Sequence, residues 1–595
     1  MKQHENKQLD ELRHSAAHLL AAAVLRLWPQ AKPAIGPATE DGFYYDFEFP
    51  EPVREHDLPK IEKMMRKTVE GWDGFERIEV SKEEAIEQFK DNPYKLELIE
   101  EHSQDGGQLT LYKSGSFTDL CRGGHIDDPR KKLKHFKLLS IAGAYWRGDE
   151  KNTMLTRIYG TAFPTQEELE EFLRIREEAK ARDHKKLGRE LDLFVFSELV
   201  GKGLPLWTPK GSTIRRELER FIVDEELKRG YLHVYTPDIA GIGLYKTSGH
   251  YPYYKDSMYA PIVIDNEEFM LRPMTCPHHF ELYKSRPHSY RELPVRYAEL
   301  AKLYRYEQSG ELSGLQRVRT FCLADAHIIA KPDQAESEIN GALDLIEYAA
   351  RVMGLKANHD YWYRLSLGDR NDEKKYFKSD ADWDNAEQIL RDVLSKRAVK
   401  SYEAAGEAAF YGPKIDIQMK NVNGKEDTAF TVQYDFVMPK RFELRYIDED
   451  GTEKEPIVIH RSSIGAIERV IAFLIERYAG AFPFWLAPVQ TSVIPVADRH
   501  HELAEKVHST LKSVRIRSEL RNEQKSVSYK IRQSILQKIP YQIIIGDNEL
   551  NASSEQDIFV TVRSRDGQDL GMQTLISLQE YFRAQLENTI QTELS

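Results

Sequence analysis

The clearest pattern along the chain is a period of two between Tyr297 and Ile329, where two strand-like runs flank a loop carrying Ser309-Gly310 and Ser313-Gly314. That pattern predicts a long-looped antiparallel hairpin. Alternate residues of a strand share a face, so Arg317, Arg319, Phe321, Leu323, Asp325 and His327 fall on one side. Val318, Thr320, Cys322, Ala324, Ala326 and Ile328 fall on the other, and Arg305 and Glu307 share a face of the first arm. Two arginines, an aromatic ring, an aspartate and a histidine on one face are unusual for a core strand. A solvated edge strand is the plain alternative.

The texture changes at two places. From Gln166 to Glu190, 15 of 25 residues are charged with signs mixed at helical spacing, after a Thr165/Glu168 capping box. A helix polar all round bridges two bodies through solvent, so 164–190 is expected to be a linker helix. The second boundary is the proline-rich turn 481–489. Beyond it, Thr491–Val496, a helix from about Arg499 to Leu511, Val514–Glu519, a helical stretch and Tyr541–Ile545 predict a small α/β domain. The expected division is 1–163, 164–190, 191–484 and 485–595, consistent with roughly 150 residues per domain.

Composition narrows the class without naming a function. The 595 residues are 41% hydrophobic and 30% charged, and no apolar run approaches the roughly 18 residues of a membrane span. The polar start Met1-Lys-Gln-His-Glu argues against a secretory signal. Three cysteines without a C-x-x-C pair fit a reducing compartment, so a cytoplasmic location is expected. The net charge of −12 confines any nucleic-acid contact to local basic patches. One such patch is Lys512–Lys538, with eight basic residues against Glu519 and Glu523.

Two constellations could carry chemistry. Cys276, His327 and His460 are the donors of a three-ligand zinc site with an open position, although spacings of 51 and 133 residues match no compact zinc finger. A buried cysteine and two unrelated histidines remain open on spacing alone. His14 and His18 stand at i and i+4 of a predicted helix, and Cys121 and His125 repeat the spacing. Those four suit either a closed zinc site or a metal-free catalytic cluster. The absence of glutamate after His14 excludes the H-E-x-x-H signature.

The hairpin resembles motif 2 of class II aminoacyl-tRNA synthetases. The runs Leu271-Arg-Pro-Met-Thr-Cys-Pro-His-His279, Asp325-Ala-His327, Ile459-His-Arg461 and Gly465-Ala-Ile-Glu-Arg469 resemble the threonyl-tRNA synthetase family specifically. The resemblance covers nearly the whole chain and implies a multidomain α+β and α/β fold. Its parts would be an N-terminal α+β editing domain, a class II antiparallel-sheet catalytic domain and a C-terminal α/β anticodon-binding domain. It implies one zinc per chain on Cys276, His327 and His460, gripping the amino and hydroxyl groups of threonine. It places Arg305 on the α-phosphate and the amino-acid carboxylate, Glu307 on the adenine amine and Arg317 on the terminal phosphate. Adenine would lie between Phe321 and Arg469, with Gln433 also in the ATP site and Asp325 and Tyr411 on threonine. Mg2+ would accompany ATP.

A hydroxyl-requiring metal rejects valine, which an apolar pocket separates from threonine only about 10²-fold. Serine keeps the hydroxyl and lacks only a methyl, worth roughly 1–3 kcal/mol, so a second, hydrolytic site is expected. By resemblance that site works without metal and comprises His14, His18, Tyr45, Lys95, Asp119, Cys121 and His125. Anticodon bases would meet Asn522, Lys538, Glu549 and Arg563, through the matching runs 520–523, 538–541, 546–549 and 562–565. The partners implied are tRNA(Thr), ATP and L-threonine, in a homodimer with no membrane contact.

Three positions depart from the family pattern. Leu323 stands where a pocket glutamine is usual, Ala466 where serine is common, and Asp427-Thr428 where tryptophan-glutamine is usual. Lys538 is commonly arginine, and with the editing motif beginning at His14 the family's small ubiquitin-like domain is expected to be absent. The alternatives are a non-catalytic RNA-binding paralogue, or a class II synthetase for another amino acid such as serine.

Overall fold

The computed structural model describes residues 2–104, 108–372, 374–422 and 424–591. It divides into two compact units, Met1–Glu177 and Glu178–Ser595.

In the first unit the helix Lys2–Leu27 is the core element. Its alanine-rich middle favours helix, and Ala16, Ala17 and Leu19–Val24 are almost wholly buried. Phe43, Tyr45 and Phe47 of the strand Gly42–Glu48 pack against it, as do Phe136, Leu138 and Ile158 from the strands His135–Tyr145 and Met154–Phe163. A separate three-stranded sheet, Glu76–Val80, Leu109–Ser114 and Phe117–Leu120, is antiparallel.

The highly charged stretch is two helices rather than one. Thr165 and Glu168 cap each other as the pattern predicts, opening Gln166–Arg182. Asp183 then leaves the helix and caps a second one, His184–Glu190, by accepting Lys185 N–H at 2.7 Å. His184, Leu187 and Gly188 are buried, with His184 Nδ1 2.6 Å from Glu476. The second helix is therefore packed on one side, a fact masked by the charge on its other side.

The second unit is organised around an eight-stranded sheet in the order Leu232–His233, Val295–Tyr304, Thr320–Ala330, Ile457–Ala466, Glu426–Asp435, Lys414–Lys420, Tyr361–Leu367, Ser401–Ala405. Pairing is antiparallel except at the two edges. The predicted hairpin is its second and third strands, and the alternation holds where it is strand. Cys322, Ala324, Ala326 and Ile328 join a core with Ile339, Leu343 and Ile346 of the helix Ala335–Val352. Phe321, Leu323, Asp325 and His327 line an open cleft on the opposite face. Arg319 departs from the expected face. It lies before the strand begins, donates to Glu307 O at 3.0 Å and stacks on Tyr306 at 4.6 Å.

After the proline-rich turn a five-stranded sheet follows, ordered Ser518–Leu520, Thr491–Pro495, Tyr541–Ile545, Phe559–Ser564, Asp569–Thr574. Its first three strands are parallel, as strand–helix alternation predicts, and the last two add an antiparallel hairpin.

One buried ion pair ties the helix Pro209–Lys228 to the strand Ile457–Ala466. Arg461 Nη1 donates to Glu226 Oε1 at 2.5 Å, Ser463 Oγ donates to the same oxygen at 3.0 Å, and the Arg461 guanidinium stacks on Tyr231 at 4.1 Å. Both charges are essentially inaccessible. Removing one partner of such a pair strands the other, so Glu226→Gln is expected to cost about 3–5 kcal/mol in denaturant unfolding. A loss below about 1 kcal/mol, the level of an exposed pair, would contradict this.

Candidate functional site

The sheet register brings together what the chain separates. His327 and His460 are direct cross-strand partners, with Gln433 beside His460 on the next strand. Cys276 arrives from the first turn of the helix Cys276–Lys284. One ligand atom from each of Cys276, His327 and His460 lies within 4.8 Å of the others, and all three residues are buried. The rings of His327 and His460 meet edge to face at 4.7 Å.

Each imidazole has one nitrogen committed elsewhere. His327 Nδ1 lies 2.8 Å from His279 Nδ1, and His460 Nε2 lies 2.6 Å from Asp435 Oδ2. Asp435 is held in turn by the backbone N–H groups of Val437 and Met438, each at 2.9 Å. One nitrogen per ring therefore remains to face the thiol. Burial pushes the Cys276 thiol well above its usual value and the His327 imidazole well below its own. A cation is the partner that makes a thiolate favourable there.

The cleft in which these groups lie is about 970 Å³ and is lined by Cys276, Arg305, Glu307, Arg317, Phe321, Asp325, His327, Tyr411, Gln433, His460 and Arg469, the middle-domain residues to which the resemblance assigns roles. Arg305 is partly buried in the cleft wall; desolvation pulls its guanidinium below the usual value, and Glu307 only partly opposes this. Among the described residues no carboxylate is in ion-pair contact with it. A desolvated cation of this kind is a receptor for an anion. Glu307 is instead paired with Arg317, Nε to Oε2 at 2.8 Å. Arg469, at the start of the helix Ile467–Tyr478, donates to the carbonyls of Gln316 and Thr428 at 3.2 and 3.3 Å. Tyr411 stacks on His460 at 4.9 Å and donates to Gln433.

The departures from the family pattern are spatially linked. Leu323 and Ala466 are cross-strand partners, and both line the cleft together with Thr428. Two polar-to-apolar changes thus form a single apolar patch. Thr428 Oγ1 accepts from Gln418 at 2.8 Å.

In the N-terminal unit, His14, His18, Cys121 and His125 also present donors within 4.8 Å of one another. Cys121 Sγ lies 3.3 Å from His14 Nε2 and 3.5 Å from His125 Nε2. Lys95, Asp119 and Tyr45 stand beside them, with Lys95 Nζ 2.5 Å from Asp119 and the Tyr45 hydroxyl donating to Asp119 at 2.5 Å. Burial lowers His14, lowers His18 strongly, and takes His125 down to about 2. It pushes the Cys121 thiol up to about 11. At neutral pH the cluster is therefore three neutral imidazoles and a thiol, unsuited to thiolate attack; imidazoles lowered this far are weak bases that can orient a water by accepting its hydrogen bond. The Lys95 charge is already neutralised by Asp119, which reduces what it can offer a developing oxyanion.

Ser15 is a member that sequence reasoning missed. Its hydroxyl donates to Glu11 O at 2.8 Å and accepts from Ile126 N–H at 3.2 Å, so His125 Nδ1, 3.2 Å away, must donate to it. That leaves the bare Nε2 of His125 facing Cys121. His279, Glu299 and Asp435 were missed likewise; the doublet His278-His279 beside Cys276 was the only signal.

The C-terminal candidates do not converge. Asn522 and the helix bearing Glu549 follow the C-terminal ends of parallel strands, whereas Lys538 and Arg563 lie toward the other end of the sheet. Glu549 is buried and caps its own helix, accepting Gly546 N–H at 2.7 Å and the Thr561 hydroxyl at 2.5 Å. The basic patch is also thinner than its composition. Arg517 is turned onto the carbonyls of Ala487 and Trp485, Lys530 is buried against Pro495 O, and Arg521 pairs with Glu519. Lys512, Arg515, Lys525 and Arg532 remain exposed.

Residues 258–478 match the tRNA synthetase class II core domain (G, H, P, S and T), 490–585 the anticodon binding domain, and 109–159 the threonyl and alanyl tRNA synthetase second additional domain. The chain is 52% identical over 546 residues to a threonine--tRNA ligase of Anoxybacillus flavithermus, covering 91% of this chain and 84% of that protein. It is 48% identical over 579 residues to that of Halalkalibacterium halodurans, covering 96% and 88%. Among solved structures it is similar to the RNA binding domain of threonyl-tRNA synthetase from Cryptosporidium parvum, with TM-score 0.63, 34% identity, and 68% of this chain and 98% of that one covered. It is also similar to a threonyl-tRNA synthetase from Aeropyrum pernix, with TM-score 0.60, 29% identity, and 68% and 97% covered. With class II core, anticodon-binding and editing modules in one polypeptide, the chain belongs to the threonyl-tRNA synthetase family.

Proposed function

We propose that the chain carries out its family's reaction in the middle-domain cleft, joining threonine to ATP as threonyl-adenylate and then to the 3′-hydroxyl of tRNA(Thr), and that it hydrolyses seryl-tRNA(Thr) at the N-terminal cluster. The observation that carries the first half is the pairing of His327 with His460 beside Cys276, inside the cleft that also holds Arg305 and Arg469. The donor set fits zinc, since one thiol and two imidazole nitrogens remain after His279 and Asp435 take the others. Bound there, zinc supplies an open coordination position for an amino acid bearing a hydroxyl, which threonine fills and valine cannot.

The chain's own residues do the rest. Arg305 meets the threonine carboxylate and the α-phosphate as charge builds there. Phe321 and Arg469 sandwich adenine, Glu307 accepts from its amine, and Arg317 takes the terminal phosphate once their pair opens. Mg2+ enters with ATP. Asp325 and Tyr411 orient threonine, and Gln433 positions Tyr411 by accepting its hydroxyl proton. At the N-terminal cluster the neutral imidazoles orient the attacking water by accepting its hydrogen bonds, and His125 presents Nε2 for this because Ser15 accepts from its Nδ1. The anticodon is read by Asn522, Lys538, Glu549 and Arg563 along the sheet, an extended strip suited to several unpaired bases; Glu549 must leave its cap to take part.

Exposed apolar side chains concentrate between Val195 and Ile239, including Leu199 at 100% and Tyr235 at 95% exposure, which supports a homodimer through that face. The proposed location is the cytoplasm, where charged tRNA is consumed. Among the described residues no helix is long and apolar enough to cross a membrane.

ATP–pyrophosphate exchange tests the reading. Threonine is expected to support it strongly, serine weakly, and valine at least 10²-fold less than threonine. Exchange absent with zinc loaded would favour the non-catalytic RNA-binding paralogue, and serine dominant would favour another specificity. Because Leu323 faces Ala466, Leu323→Gln and Ala466→Ser are expected to shift the KM for threonine non-additively, with a coupling of about 0.5–3 kcal/mol. Strict additivity would mean that the patch is not a unit. For the second site, His14→Ala is expected to leave threonylation near normal while seryl-tRNA accumulates. Parental clearance of seryl-tRNA by that variant would remove His14 from the hydrolytic site.

A further inference from the structure

We propose that His279, backed by Glu299, is a positioning residue for the metal ligand His327, fixing which of its ring nitrogens faces the metal. This rests on the zinc reading above. The two Nδ1 atoms face each other at 2.8 Å, so one of them carries the shared proton. His279 Nε2 lies 3.4 Å from Glu299 Oε2. Glu299 also accepts from Arg272 Nη1 at 2.9 Å and from the Thr236 hydroxyl at 2.7 Å. Burial alone would raise this carboxyl, but bonds from His279 and Thr236 and the charge of Arg272 hold it down to about 2. It is thus a carboxylate, which can only accept, and His279 Nε2 carries a proton for it. With Nε2 turned to the Glu299 carboxylate, His279 offers its Nδ1 as the acceptor for the Nδ1–H of His327. With Nδ1 of His327 protonated, its Nε2 is the lone pair left for a metal. The reverse arrangement would place a proton on Nε2 and close that donor.

The relay is buried. His279 is 0% exposed, His327 1% and Glu299 2%. It is also built into the elements that make the site. His279 sits one turn beyond Cys276 on the same helix, and Glu299 lies on the strand paired with the one bearing His327. Asp435 does the equivalent for His460, so each imidazole ligand has a dedicated acceptor.

The test is zinc affinity of the full chain by chelator competition, with ATP affinity as a check that the cleft is intact. His279→Leu is expected to weaken zinc binding about 10–100-fold, the usual effect of losing such a support. His279→Asn, which returns an amide oxygen near the place of Nδ1, is expected to recover part of that loss. The d–d spectrum of the cobalt(II)-substituted protein is expected to change in His279→Leu, which a purely structural role would not require. Parental zinc affinity in folded His279→Leu overturns the proposal. Should that variant fail to fold, Glu299→Gln and His279→Asn decide it: weaker zinc binding in Glu299→Gln supports the relay, and parental affinity in both overturns it. A parent chain that binds no zinc through Cys276 overturns the underlying reading instead, and the two failures are thereby distinguished.

Discussion

Everything in the cleft depends on the register of one antiparallel pair. The strand Thr320–Ala330 lies against Ile457–Ala466 so that His327 meets His460, Asp325 meets Ser462 and Leu323 meets Ala466. Side chains alternate on a strand, so a slip of one residue would turn His327 into the core and bring Ala326 or Ile328 to the cleft. The apolar face of the same strand prevents the slip. Cys322, Ala324, Ala326 and Ile328 are buried against the helices behind, so the hydrophobic pattern sets the register and the register builds the site. Fold and chemistry are the two faces of one strand.

The chain charges tRNA with threonine and carries a domain for editing, and its two clusters solve opposite electrostatic problems with similar residues. Each contains cysteine and histidine drawn together in a buried place. In the cleft each imidazole has an outer acceptor that leaves one nitrogen aimed at the thiol. In the N-terminal cluster His125 is likewise fixed by Ser15, but a buried Lys95–Asp119–Tyr45 group stands alongside and already balances its own charge. The first arrangement gathers donors around a common point. The second sets neutral imidazoles and a thiol beside a buried, charge-balanced group.

Much of this was legible in the sequence, for reasons that can be named. The period of two in Thr320–Ala330 reports burial on one face, so both the hairpin and the cleft-facing set Phe321, Leu323, Asp325 and His327 could be read directly. The roles proposed for Arg305, Glu307, Gln433 and Tyr411 rest on resemblance, and spacing alone left the Cys276–His327–His460 set open. Charge counts were the poorest guide. They concealed the break at Asp183 and the packed face of His184–Glu190. They also counted Arg517 and Lys530 as surface when both are turned inward onto carbonyls. Arg319 escaped the face assigned to it because the strand starts one residue later. His279, Glu299 and Asp435 were invisible as supports because a second partner is chosen only by the folded arrangement.

The most direct measurement is an anomalous difference map at the zinc edge from crystals of the chain with threonine. The account predicts one peak per chain, bounded by the Cys276 sulfur and one nitrogen each of His327 and His460, with the amino and hydroxyl groups of threonine completing it. A peak among His14, His18, Cys121 and His125 instead, or threonine seated with no metal beside it, would contradict the account at its centre.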